Sequence, residues 1–250
     1  ERGVTVRSIS GRQLHLADGS DLTPDTLFLA SGKHDVRGAA RPADARGDDP
    51  TIGLRIRFGP APALTRMIGG AIELHLFDLG YAGLVAQEDG SANLCLAVRR
   101  SRLNEAGGPQ ALLDVIASEC PALGERMAFR DSGGDCDAVA NVPYGWRLQN
   151  GEAGTFRLGD QASVIPSLAG EGIGIAIASG IGAADAFARG GGDASPDFQR
   201  NFARRSARPI GLAGLLWRTG ESSGAAPWLL AAARVPGAMR FAARLTRINP

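Results

Sequence analysis

Lysine is nearly missing from this chain: Lys33 is the sole lysine among 27 basic residues, a usage that a GC-rich genome explains without invoking function. The 27 basic and 26 acidic residues leave a formal net charge of +1. That balance excludes the basic field on which nucleic-acid binding rests, so no nucleic-acid partner is expected. Cysteine is scarce as well. Cys95, Cys120 and Cys136 are odd in number and share no CxxC or metal-ligand spacing, so they read as reduced core thiols. His15, His34 and His75 are scattered, without the Ser, Asp or Glu neighbours that hydrolysis or metal chemistry would need, and no metal is expected. No charge-free apolar run reaches the roughly 18 residues of a membrane span, and no secretory leader is visible. Cytoplasmic residence is the default expectation.

What is present suits a globular enzyme: 250 residues, 44% hydrophobic and 21% charged, enough for one large or two small domains. The most informative stretch runs from Thr155 to Ala184. Phe156 and Leu158 make a short apolar strand ending at Gly159-Asp160, and in an open α/β sheet ligands sit beyond the carboxyl ends of the strands. Asp160 is thereby placed to accept hydrogen bonds from a polyhydroxyl chain. After a loop with Pro166, the run Gly170-Glu171-Gly172-Ile173-Gly174 opens a proline-free helical segment. Its unpaired N–H groups and positive dipole end would face an anion. Glycine in a helix interior costs about 0.8–1 kcal/mol relative to alanine, so Gly174, Gly180 and Gly182 imply that a ligand or another backbone comes close to this helix.

Two further regions complete the pattern. Leu27 to Ala30 is a continuous apolar run, as expected of a buried strand, and it breaks at Ser31-Gly32 into a polar loop with Lys33, His34, Asp35 and Arg37. Between Arg41 and Trp146, Thr51 to Phe58 and Ile72 to Phe77 alternate with period two. Tyr81 to Ala86 and Asn93 to Val98 are strand-like and joined by the turn Glu88-Asp89-Gly90-Ser91, so a mostly antiparallel sheet is expected. Pro109 to Cys120 has helical spacing and Pro121 stops it.

Taken together, these motifs resemble the FAD-binding fold of flavoprotein monooxygenases and geranylgeranyl-reductase-like enzymes. The resemblance covers the chain to about Arg208. It implies a cofactor, FAD, reduced by NAD(P)H, with Ala30-Ser31-Gly32 and Arg37 near it and Gly159 and Asp160 on the ribityl chain. Pro166, Gly170, Gly172, Ile173 and Gly174 would lie beside the isoalloxazine ring. The sheet would roof the flavin and make one wall of the substrate cavity, where Phe77, Tyr81, Tyr144 and Trp146 are candidate lining residues, each also readable as plain core. Gln161-Ala162-Ser163 and Gly174 depart from the Ala-Ala-His and Gly-x-Gly-x-Asn of aromatic-ring hydroxylases. These departures lean toward the geranylgeranyl-reductase branch, with a small lipophilic or aromatic substrate. The alternative is a monooxygenase hydroxylating a phenolic or polyketide-like compound, and a third reading is a non-catalytic remnant binding a hydrophobic ligand or partner. No side chain stands out as an acid or base.

The Gly-x-Gly-x-x-Gly of a dinucleotide-binding βαβ unit is not found. Instead Val4-Thr5-Val6, Gln13 to Leu16 and Asp18-Gly19 read as a small hairpin. The expectation is a truncated Rossmann-like cofactor domain lacking at least one βαβ unit of roughly 30 residues, within an α/β (α+β mixed) fold. Its parts would be a partial FAD-binding segment 1–40, a sheet domain 41–150, the flavin-contacting part 151–208 and a C-terminal helical tail 209–250. In the tail, Leu212 to Trp217, Trp228 to Val235 and Ala238 to Ile248 are apolar, with Arg240, Arg244 and Arg247 at helical spacing. A helical cap on the cofactor domain is expected there, and peripheral contact with an anionic membrane is the second reading.

Overall fold

The computed structural model describes residues 2–130 and 136–248. The fold is mixed α/β and divides into two compact units: Glu1–Ala45, Tyr144–Gly214 and Arg240–Pro250 form the first, Arg46–Pro143 and Leu215–Met239 the second.

The first unit opens with an antiparallel meander, β1 (Val6–Ser10), β2 (Gln13–Leu16) and the short β3 (Asp21–Leu22). It buries only Ile9 and Leu16, as its alternation of apolar and polar residues requires. β4 (Leu27–Leu29) follows and leads into the Ser31-Gly32 turn.

The second unit is built on a five-stranded antiparallel sheet of order β6-β7-β8-β5-β9, with β5 at Thr51–Phe58, β6 at Ile72–Phe77, β7 at Gly80–Ala86, β8 at Ala92–Arg99 and β9 at Cys136–Val142. The period-two reading is realised closely in β5, where Ile52, Leu54, Ile56 and Phe58 are 1–7% exposed while Arg55 and Arg57 point outward. The apolar face packs against α1 (Pro62–Ile68), α3 (Pro109–Glu119) and α4 (Pro121–Met127) through Leu64, Leu112, Ile116 and Leu123. Each such burial contributes about 1.5–3 kcal/mol. α2 (Arg100–Ala106) continues directly from β8. Cys95, expected in the core, lies on the open face of β8 between the inward Leu94 and Leu96, and Cys136 is also exposed; all three thiols are free. Alternation along a strand is the reason, since Cys95 has the parity of the outward residues.

The chain then supplies β10 (Thr155–Arg157), α5 (Gly172–Gly190) and α6 (Ser195–Gly220), the last belonging to the first unit as far as Gly214. α7 (Ala226–Ala233) and α8 (Ala238–Thr246) complete the tail. Within the second unit, Glu221 accepts a two-pronged ion pair from Arg99 at 2.6 and 3.1 Å, and Arg99 lies 4.2 Å from the Trp217 ring centroid. Within the first, Thr246 and Ile248 are buried, Ile248 in the same core as Phe156 and Ile175. Among the described residues no helix is long and apolar enough to cross a membrane.

One ion-pair cluster sets an acid limit on the second unit. Glu73 takes both Arg126 Nε and Nη2 at 3.0 Å and has His75 Nε2 at 3.2 Å. Partial burial pushes its carboxyl up, but the hydrogen bonds from Arg126 and His75 outweigh this and hold it below the usual carboxylate range. A depressed folded pKa means the stabilisation is complete above the unfolded carboxylate pKa and is lost as pH falls through the folded one. Glu73→Gln should therefore lower stability by about 1–3 kcal/mol at neutral pH and by much less in strong acid. Urea unfolding across pH checks both halves of that expectation.

Candidate functional site

Two parallel strands position the site. β4 and β10 pair in register, Leu27 with Thr155, Phe28 with Phe156 and Leu29 with Arg157, and the Leu158 N–H reaches the Leu29 carbonyl at 2.9 Å. Being parallel, both strands end on the same side, so the Ser31-Gly32 turn and the Gly159-Asp160-Gln161 turn emerge together.

Buried donors tie these turns to each other. Gln161 has no exposed surface, and its Nε2 donates to the Gly32 and His34 carbonyls, both at 2.9 Å. Arg41, 4% exposed, donates from Nη1 to the Asp160 carbonyl at 2.9 Å and from Nη2 to the Lys33 carbonyl, while its Nε lies 2.9 Å from Asp35. Its guanidinium also stacks over Trp146, 5.7 Å from the centroid. Ser31 Oγ closes the first turn by donating to the His34 carbonyl at 2.8 Å. Behind the turns Arg157 donates to the Ala39 carbonyl at 2.8 Å, and desolvation pushes its guanidinium pKa down from the usual value.

The second turn is fixed to α5. Gly159 sits at φ 56°, a left-handed conformation that a side chain resists, and its N–H donates to the buried Ser179 Oγ at 2.8 Å. Asp160 keeps its side chain 19% exposed, with Lys33 Nζ 3.3 Å from one carboxylate oxygen. Pro166 opens a 3-10 turn, Ser167–Ala169, and Gly170 closes it at φ 70°. Ser167 Oγ is hydrogen-bonded to the Tyr144 hydroxyl.

α5 begins without a side-chain cap on Glu171, which leaves first-turn N–H groups for an outside acceptor. A Cβ built on Gly170 or Gly172 would meet nothing within 4 Å, and Ile173 is 76% exposed. Gly174 differs: there the Glu171 carboxylate comes within 2.7 Å of the Cβ position and the Ile248 carbonyl within 4.0 Å. Glu171 is itself 3.7 Å from Arg247.

The sequence-derived candidates thus separate. Ser31, Gly32, Gly159, Asp160, Pro166, Gly170, Gly172, Ile173 and Gly174 belong to the two turns and the helix start they support. Tyr144 and Trp146 are half-buried and touch this cluster through Ser167 and Arg41. Arg37 is exposed and meets β1 through its carbonyl, which accepts the Ile9 N–H at 2.8 Å; the buried arginine at the turn is Arg41. Phe77 and Tyr81 are 7% and 5% exposed within the second unit, Phe77 in its hydrophobic core. Sequence reasoning missed Arg41 and the clamping roles of Gln161 and Ser179, because their partners lie far away in sequence. No group of His, Cys, Asp and Glu among the described residues could hold a metal ion.

No family model matches this sequence, and neither does any curated protein. Solved structures do match in fold. The chain aligns with the flavin-dependent brominase Bmp2 at a TM-score of 0.67 and 15% identity, over 97% of this chain and 63% of Bmp2. PqsL, a probable FAD-dependent monooxygenase from Pseudomonas aeruginosa, gives 0.56 and 18%, over 91% of this chain and 66% of PqsL. A salicylate hydroxylase substrate complex gives 0.59 and 16%, over 99% and 71%. The chain therefore has the fold of these proteins and spans just under two thirds of the length of PqsL and Bmp2.

Arg41→Ala would leave the Asp160 and Lys33 carbonyls without their guanidinium donor and take the Arg41 charge away from Asp35. A loss of about 3 kcal/mol of stability is expected, with Arg41→Lys recovering little, because an ammonium cannot span the three groups that the planar fork reaches. Urea denaturation of both variants tests this.

Proposed function

We propose that this chain is the flavin-contacting and substrate-sheet part of an FAD-dependent oxidoreductase, and that the whole protein is a monooxygenase hydroxylating a phenolic or polyketide-like compound. The observation that carries the reading is the pair of turns clamped by Gln161 and Arg41 beside an uncapped, glycine-lined helix start. Those residues fit a flavin: Gly32, Gly170 and Gly172 leave open space above the backbone, Asp160 offers a half-sheltered acceptor, and the helix N-terminus suits negative charge. Ser31, Gly32, Gly159 and Asp160 would hold the ribityl side, and the Pro166 to Gly174 segment the ring side. Arg41 rather than Arg37 is the arginine in this scheme, acting on the turn and not on the ligand. Tyr144 and Trp146 are the better candidates for a substrate wall, since Phe77 and Tyr81 are enclosed.

FAD, when bound, supplies the two-electron chemistry, with NAD(P)H as donor and dioxygen as co-substrate. The protein's contribution is to fix the acceptor and the oriented amides in place before the ligand arrives. Hydroxylation is preferred over the alkene saturation suggested by the helix-start residues, because the matched structures are described as a monooxygenase, a brominase and a salicylate hydroxylase. A phenolic or similarly aromatic substrate is consistent with those names.

Purification of the longer polypeptide should give a flavin absorbance spectrum and NAD(P)H-dependent oxygen uptake stimulated by a phenolic panel. Flavin oxidation by an isoprenoid alkene without oxygen would overturn the hydroxylase reading. Asp160→Ala in that protein should weaken FAD retention about tenfold or more, as loss of charge-assisted hydrogen bonds implies. Unchanged occupancy would remove Asp160 from the site.

A further inference from the structure

The face of the β4 and β10 pair turned away from Phe28 and Phe156 opens on a cavity of about 240 Å³. Leu27 is in register with Thr155 and Leu29 with Arg157, so the four share that face, and all four line the cavity. Ile9 of β1 and Leu148 add apolar surface. A cavity of roughly 150 Å³ is enough to hold benzene. This one is larger, and it has a guanidinium in its wall.

Its walls are fixed before any ligand arrives. Gly38, at φ 84°, runs so close to β1 that a Cβ there would clash with the Ile9 carbonyl oxygen. Gly151 is pressed against α6, where a Cβ would meet that of Gln199 at 2.9 Å. In the same loop the Leu148 N–H donates to the Ala162 carbonyl at 2.9 Å, and Ser195 Oγ donates to the Glu152 carbonyl at 2.8 Å. The cavity is therefore preformed, as a binding site for a small molecule usually is.

Arg157 is the group this cavity leaves unsatisfied. Its Nη1 donates to the Ala39 carbonyl at 2.8 Å and to Gln161 Oε1 at 3.4 Å, whereas Nε and Nη2 have no partner among the described residues and are not enclosed. Those two nitrogens present parallel N–H groups on one edge of the planar fork, the edge that meets a carboxylate side-on. Elsewhere in this chain the same edge does so: Arg126 gives Nε and Nη2 to Glu73, and Arg99 gives Nε and Nη2 to Glu221. Arg157 has no such acid among the described residues. Burial pushes its pKa down, against a weaker pull from Glu152, which also lines the cavity but forms no ion pair with it.

We propose that this cavity binds a small organic monocarboxylate, its carboxylate side-on to Arg157 Nε and Nη2 and its apolar body on Ile9, Leu27 and Leu29. A single negative charge is favoured over the two of a phosphate, because Glu152 lines the same space. No residue of the α5 start lines it, so the site stands whether or not the cofactor reading holds.

Benzoate is the probe. Isothermal titration of the protein at low ionic strength should give one saturable site for benzoate and none for benzamide, which has the same shape without the charge. Arg157→Gln should weaken benzoate binding about tenfold or more, and Arg157→Lys should recover little, since an ammonium has no planar edge. If loss of the Ala39 and Gln161 contacts keeps these variants from folding, Glu152→Gln decides instead: it alters an exposed carboxylate and should tighten benzoate binding about threefold. No binding, equal binding of benzamide and benzoate, or benzoate affinity unchanged in a folded Arg157→Gln variant would overturn the proposal. So would a Glu152→Gln variant that binds no more tightly, or inorganic phosphate that binds the cavity better than benzoate does.

Discussion

Gln161 is the hinge of this structure: a fully enclosed amide whose two N–H groups bind carbonyls on a different strand's turn. Leaving such donors unpaired would cost about 1–3 kcal/mol, so the Gly32 to His34 backbone must stay where Gln161 can reach it. Arg41 adds a second tie from the opposite direction, gripping the carbonyls of Lys33 and Asp160 together. Neither side chain is free to contact a ligand. Their effect is to make two loops, more than 120 residues apart in sequence, behave as one rigid rim that presents Asp160 and the start of α5.

That rim explains the mixture of order and openness around it. The Gly159 turn is anchored by Ser179 from inside α5, so helix and turn move as one body. On its open side the same helix start offers glycines, an uncapped first turn and an exposed isoleucine. An enzyme that leaves redox chemistry to a cofactor needs this: a stiff frame and vacant space, with few reactive side chains.

The fold was largely legible wherever one periodicity ruled. In β5 the alternation of Ile52, Leu54, Ile56 and Phe58 with Arg55 and Arg57 identifies strand, register and buried face at once, because a half-covered sheet leaves no other register. The Thr155 to Ala184 run was legible for the opposite reason, its glycines marking the special backbone: Gly159 and Gly170 take positive φ and Gly182 meets Phe198, although Gly172 and Gly180 have open space beside them. Arg41 and Gln161 were not legible. A buried polar residue is recognised by partners that are distant in sequence, and nothing local distinguishes Arg41 from the exposed Arg37 four residues earlier. Phe77 and Tyr81 show the converse difficulty, for an aromatic residue in a strand looks the same in sequence whether it lines a pocket or fills a core. Cys95 was assigned to the core from residue type, where strand parity would have placed it outside.

The central claim is that the Ser31 to Asp35 loop and the Gly159 to Gly174 segment form one flavin-gripping rim. Amide hydrogen exchange of the protein, with added FAD and without it, tests it most directly. The account predicts that FAD slows exchange in both segments together, with the second unit's sheet unaffected; protection confined to one segment, or absent from both, would contradict it.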